Sequence, residues 1–316
     1  MEFFEKNWMA PEAIFLMLVL LCLFAIVIVI SRPTRKNAAS PHQYEAMHYP
    51  WIGLVIDLRL AHEVSKHFPL KILRFLCFGI FLFSAKVMAG PPYVTDDPEP
   101  VELRHWEVYG ASQLLHDPDG WTGTAPHIEI NYGTAPNLQL HLITPASFSA
   151  PVMGPAHYGY GDTELGAKYR FVQETNTRPQ IGEFLLLELP TGDADRGLGA
   201  GHLQVFLPIW LQKTIGPWLM YGGGGYWLTT GTSNQNWWYF GYMLQYRFRP
   251  NLAIGTELFH TTSKDQNSSA ETRFNVGLVY DFSEPHHLLL SAGRGIEGPN
   301  FFQSYVAYQL TIGPKD

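Results

Sequence analysis

From residue 90 onward, apolar and polar residues alternate at a period of two in segments of ten or more residues, and this rhythm constrains the fold more than any other feature. Successive side chains of a strand point to opposite faces, so the pattern builds a sheet with two unlike surfaces and is incompatible with a helical stripe. The stretch TELGAKYRF at 163–171 is the clearest case. Thr163, Leu165, Ala167, Tyr169 and Phe171 share one face, and Glu164, Gly166, Lys168 and Arg170 share the other.

Such segments recur at 104–115, 125–134, 138–148, 160–173, 180–189, 202–213, 217–229, 237–249, 251–262, 271–282, 287–295 and 301–312. That makes about twelve strands, each roughly twice the length usual in soluble proteins. Tight Pro-, Gly- and Asn-bearing turns at 135–137, 215–217, 249–251 and 283–285 alternate with longer polar connections at 116–124, 149–158, 191–201, 230–236, 263–270 and 296–300. Long external loops alternating with short periplasmic turns are the habit of outer-membrane barrels. The spacing therefore predicts an all-β fold, a transmembrane antiparallel β-barrel of about 12 strands over residues 90–316, closed because lipid offers the backbone no hydrogen-bond partner. Composition agrees: 46% hydrophobic residues coexist with a mean hydropathy of -0.05, as they do when one face meets lipid and the other a polar lumen.

Within this pattern Leu203, Val205, Leu207, Ile209 and Leu211 form a lipid-facing column, with Gln204, Phe206, Pro208, Trp210 and Gln212 turned inward. Proline cannot donate to a ladder, so a local bulge is expected at Pro208. Trp121, Trp218, Trp227, Trp237, Trp238, Tyr239 and Tyr308 fall near strand ends and are expected at the headgroup level.

The first ninety residues read differently. Residues 13–30 carry no charge and are followed by Arg32, Arg35 and Lys36, which predicts a transmembrane helix within an N-terminal hydrophobic and linker region, 1–66. A shorter apolar run at 72–83 follows Lys66, Lys71 and Arg74 and precedes Val87-Met88-Ala89; residues 67–89 are expected to be a signal peptide, cut after Ala89. A signal ordinarily begins a chain. Residues 1–66 are either a misassigned or fused extension or an inner-membrane anchor for a precursor on its way across, and the mature barrel is expected in the bacterial outer membrane.

Twelve inward positions are candidate lumen-lining residues: Glu129, Asn131, His141, Glu164, Lys168, Arg170, Glu183, Gln204, Arg247, Glu257, Arg273 and Asn275. They would either select and guide a solute or pair with one another and fill the barrel. Cys22 and Cys77 both precede the barrel, so it has no thiolate for a metal or redox centre, and no cofactor is expected. Asp193 and Asp195 could offer oxygens to a hard cation but lack the further acids of a calcium loop. His286-His287 falls at a periplasmic turn and reads as structural. No lysine- or arginine-rich run accompanies the net charge of -7, which argues against nucleic acid as a partner. A Gly-x-Ser-x-Gly elbow is missing, and no serine, histidine and acid suggest themselves as a set, so catalysis is not expected.

Several stretches together resemble the outer-membrane family named for the meta-pathway of phenol degradation: GPPYVTDDPEPV at 90–101, GDTELGAKYRF at 161–171, PTGDADRGLG at 190–199, QVFLP at 204–208 and YGGGGY at 221–226. The resemblance spans nearly all of 90–316. It implies a porin-like channel or transporter for small hydrophobic, aromatic compounds, with outer-membrane lipid, such solutes and the outer-membrane assembly machinery as partners. A structural barrel with a plugged lumen and no transport is the alternative, and an outer-membrane lipid hydrolase a third. The chain departs from the family in residues 1–66 and in ending on QLTIGPKD instead of the terminal aromatic usual for recognition by that machinery.

Overall fold

The computed structural model describes residues 91–231 and 234–314. The helix expected at 13–30, the signal peptide expected at 67–89 and the linker between them lie outside the described residues.

The strands are β1 (Trp106–Asp117), β2 (Gly120–Ala135), β3 (Leu138–Pro151), β4 (His157–Tyr160), β5 (Thr163–Val172), β6 (Gln180–Leu189), β7 (Gln204–Ile215), β8 (Trp218–Thr229), β9 (Trp237–Arg249), β10 (Leu252–Thr261), β11 (Glu271–Ser283), β12 (His286–Glu297) and β13 (Phe302–Ile312). Every pairing is antiparallel between neighbours, and β1 pairs with β13 as well as β2, so the sheet closes on itself. The short β4 lies on the upper part of β3 while β5 lies on the lower part. Together they occupy one position in the wall, which gives a barrel of twelve. Closure leaves no edge, the condition for a sheet in lipid.

The outer face is apolar, with Phe171 49%, Ile209 44%, Phe240 49% and Leu258 51% exposed. Burying such a surface in acyl chains, and not in a protein core, is what the alternation is for.

Two expectations about the wall are corrected. The connection expected to be long at 116–124 is a two-residue hairpin: Asp117 Oδ1 accepts the N–H groups of Asp119 (2.9 Å) and Gly120 (3.2 Å), and β1 and β2 run on through the supposed loop. An Asp-Pro-Asp-Gly sequence is turn chemistry in itself. At Pro208 no bulge forms. Pairing of β7 with β8 continues through Pro208↔Gly225, whereas pairing with β6 stops after Gly182↔Trp210 and resumes at Leu186↔Phe206 in the same register. The missing donor is thus accommodated by a gap in one ladder, without an extra residue.

The long connection 190–203 is tied to the break between β4 and β5. Asp162 accepts the N–H groups of Gly192 (2.8 Å) and Ala200 (2.5 Å). Asp193 and Asp195 are both exposed in this connection, the first preceding and the second within a short 3-10 turn, Ala194–Arg196.

Candidate functional site

The lumen is occupied by the chain itself. Residues 91–101 lie inside the barrel, and their contacts trace a path along the inner wall. Val101 N–H donates to Gln139 Oε1 on β3 (2.9 Å), Glu99 meets Arg170 on β5 (2.5 Å), and Lys168 Nζ meets Asp96 (2.9 Å) and Asp97 (3.4 Å). Further on, Glu257 of β10 accepts the backbone N–H groups of Val94 (2.9 Å) and Thr95 (2.8 Å), and Ser291 Oγ of β12 donates to the Pro92 carbonyl (2.6 Å). A proline-rich segment cannot join a ladder, so side chains of the wall satisfy its backbone instead.

Glycines on the inner face leave it room. A Cβ at Gly255 would run into the hydroxyl of Tyr93, one at Gly277 into its ring, and one at Gly241 into Thr95. Residues 102–105 then clamp the segment to the rim: Arg104 N–H donates to the Gly133 carbonyl (2.7 Å), and Gly133 N–H to that of His105 (3.0 Å).

Burial pushes the Asp97 carboxyl up to about 8, against the pull of Lys168, because two adjacent acids share that one ammonium. Burial also raises the Tyr93 phenol, with the Glu257 carboxylate adding to the effect.

Of the twelve candidate residues, eleven stand on the inner face, in separate groups. Glu129, Asn131, His141 and Glu164 form one connected cluster: Asn131 donates to Glu129 (2.8 Å), and His141 bridges Asn131 (2.6 Å) and Glu164 (2.8 Å). Lys168, Arg170, Glu257 and Asn275 hold residues 91–101, the last through its hydrogen bond to Glu257. Arg247 lies near the turn end with Asp281 (3.4 Å), Gln204 donates to Glu188 (2.7 Å), and Arg273 pairs with Glu271 beside the Phe301 ring.

Glu183 is a correction. It pairs with Tyr169 across β5 and β6 and shares the outer face with Ile181, Leu185 and Leu187, while Gly182, Phe184 and Leu186 face in. The run Phe184-Leu185-Leu186-Leu187 does not alternate, so the phase of this strand cannot be taken from the residue types alone. His286 and His287 separate across the wall, the first meeting Tyr308 and the second Asp281 (2.7 Å). Where other histidines meet hydroxyls, the partners are threonines: Thr124 for His127 (2.6 Å) and Thr272 for His260 (3.0 Å).

The other half of the inner wall is aromatic. Phe184, Phe206, Trp210, Trp237, Tyr239 and Phe259 form a buried cluster, with Leu186 and Trp227 packed against it. Phe206 stacks on Trp227 (4.7 Å, 10°), and Trp227 on Trp237 (5.3 Å, 13°). Trp210 and Tyr239 meet edge to face at 6.1 Å, and Tyr239 stacks on Phe259 at 5.8 Å. The glycine run of β8 makes this possible: Gly223 and Gly225 lie opposite Trp210 and Pro208, where a Cβ would strike the rings of Trp210 and Phe206.

Trp227, Trp237 and Tyr239 thus belong to the lumen and not to the headgroup level, whereas Trp121, Trp218, Trp238 and Tyr308 are exposed on the outside. Their parity on β8 and β9 decides it. Sequence reasoning missed the segment 91–101; its available signal was a stretch of prolines and acids without alternation, preceding inward-facing Lys168 and Arg170.

Among solved structures, an outer membrane channel from Pseudomonas putida F1 superposes with a TM-score of 0.58 at 16% identity, covering 71% of this chain and 100% of that one. The KdgM porin gives a TM-score of 0.47 at 13% identity, covering 65% of this chain and 98% of the porin. The NanC porin gives 0.47 at 5% identity, covering 64% and 98%. Likeness at such identities concerns the fold. No curated protein matches the sequence. The family described as "Putative MetA-pathway of phenol degradation" matches residues 109–310, from β1 to β13, and the chain belongs to that outer-membrane barrel family.

Proposed function

We propose that the protein is an outer-membrane channel for small apolar solutes, aromatic ones above all, and that residues 91–101 are its gate. The observation that carries this reading is the buried ladder of rings from Trp237 through Trp227 and Phe206 to Trp210 and Tyr239 on one side of the lumen. A wall of π faces gives an apolar solute successive sites of similar energy, the condition for passage instead of capture. Family membership and a barrel fold shared with a bacterial outer membrane channel support the same reading.

The test is entry across an intact outer membrane. Cells carrying the protein should take up a fluorescent naphthylamine probe faster than a deletion strain, and equal rates in the two strains overturn the proposal.

A second reading is favoured by the filled lumen: a scaffold barrel that conducts nothing. Planar-bilayer recordings decide between the two. A variant lacking 91–101 should show steady conductance if the segment is a gate, and silence from that folded variant establishes the scaffold.

A further inference from the structure

Residues 91–101 carry a single aromatic side chain, Tyr93, and the wall is shaped around it. Gly255 of β10 and Gly277 of β11 stand directly opposite each other in the ladder, both on the inner face, so the wall is bare over the area of one ring. The ring lies on that floor: a Cβ on Gly277 would come within 2.9 Å of it, and one on Gly255 within 2.5 Å of its hydroxyl. Leu219 and Tyr221 of β8 and Met243 of β9 pack with it in one buried cluster. Glycine inside a strand gives up a cross-strand side-chain pair, and two facing each other keep a place clear for something that approaches closely.

Three features of this socket suit a free ring as well as a tethered one. Among the described residues no side chain bonds the Tyr93 hydroxyl, so the ring is held by shape and apolar contact, whereas the backbone on either side of it is bonded by Ser291 and Glu257. The Glu257 carboxylate stands near the phenol and disfavours a second negative charge there. The socket also continues the ring ladder. Successive inward positions run from Tyr239 through Gly241 to Met243 on β9, and from Phe259 through Glu257 to Gly255 on β10, so both strands lead from the aromatic cluster to the socket.

We propose that the socket is a binding site for uncharged single-ring aromatic solutes, filled in the closed barrel by the chain's own Tyr93, and that such a solute opens the barrel by taking the place of that ring. A ligand that binds only where Tyr93 has left shifts the balance toward the released segment by its occupancy of the socket. The molecule that is to pass then also unlocks the passage. Opening in this way rests on the channel reading, with residues 91–101 as the gate, whereas binding at the socket is measurable without transport.

The experiment uses the full chain in detergent micelles, with 19F NMR line broadening of 4-fluorophenol and, as its charged counterpart, 4-fluorobenzoate. Tyr93→Ala removes the internal competitor and should bind 4-fluorophenol at least tenfold more tightly than the unmodified protein does, with no such gain for 4-fluorobenzoate. Adding Gly277→Val to Tyr93→Ala fills the socket and should abolish the gain. Equal affinity for 4-fluorophenol in Tyr93→Ala and the unmodified protein overturns the proposal, and so does a gain that survives Gly277→Val, which would place the ring elsewhere in the lumen. Tyr93 lies outside the wall, so its variant is expected to keep the barrel, checked by the heat-dependent gel mobility of barrels; should the glycine variant fail that check, Met243→Trp fills the socket from its other side. In planar bilayers 4-fluorophenol should raise the open probability of the unmodified protein. Tighter binding in Tyr93→Ala without that rise overturns the opening step and leaves the site standing; conductance on deletion of 91–101 without the gain in binding overturns the site and leaves the gate.

Discussion

The two halves of the lumen obey the same alternation and solve opposite problems. On β2, β3, β5 and β10 to β12, many inward positions are acids, amides, histidines, a lysine and arginines, hydrogen-bonded to one another or to residues 91–101. On β6 to β10 many of them are rings packed on rings. Polar groups inside a barrel must find partners or bear the full desolvation cost, so the polar half binds one specific peptide segment tightly. Stacked ring faces carry no such obligation, and the aromatic half touches the segment through the Tyr239 hydroxyl, which meets that of Thr95 (3.1 Å), so holding and passing fall largely to different arcs of one wall.

The largest break in that division should come from Lys168→Met. Asp96 and Asp97 would lose their ammonium, and removing one partner of a buried pair typically costs about 3–5 kcal/mol. Residues 91–101 should leave the lumen, read as cleavage within the segment by an added protease and as new conductance. Glu257→Gln comes next: an amide cannot accept both the Val94 and Thr95 N–H groups, a loss of roughly 2–3 kcal/mol for the buried donor left over, and hydrogen exchange at those amides should rise accordingly. Gly241→Val overpacks the inner face against Thr95, at about 1–3 kcal/mol, and should raise open probability less than either.

A pH series sharpens the comparison further. The seated Asp97 carboxyl keeps its proton up to about 8, and a released one loses it near its ordinary value of 3.8, so seating takes up a proton between these limits. The segment should therefore be held more firmly toward pH 4 and loosen as pH rises to 8, read as a rise in open probability in planar bilayers. The smallest effect belongs to the other arc. Phe206→Leu removes one stack worth about 1 kcal/mol and should lower thermal stability slightly while leaving protease cleavage within 91–101 unchanged.

Much of this architecture was legible beforehand, because period two is a direct imprint of a wall between two solvents. The segments expected at 180–189 and 237–249 coincide with β6 and β9, and most other ends fall within two residues. Eleven inward side chains followed from the same parity. Glu183 did not, since its strand passes through four consecutive apolar residues and the phase is lost there. Trp227, Trp237 and Tyr239 were misassigned because an aromatic at a strand end is equally suited to a headgroup or to a lumen, and only the register of β8 with β9 separates the two. The segment 91–101 was illegible for a different reason: it is held by single side chains of β3, β5, β10 and β12, and contacts so far apart in sequence leave no local periodicity.

The clamp of residues 102–105 on Gly133 has a further consequence. A segment released from the lumen remains on a leash of about ten residues fixed at the rim, so its return is an intramolecular event at an effective concentration in the millimolar range. Closing would then be independent of how many copies the membrane holds, and a solute that opens the barrel by competition must outbid that local concentration, however weak the individual contacts of the tether.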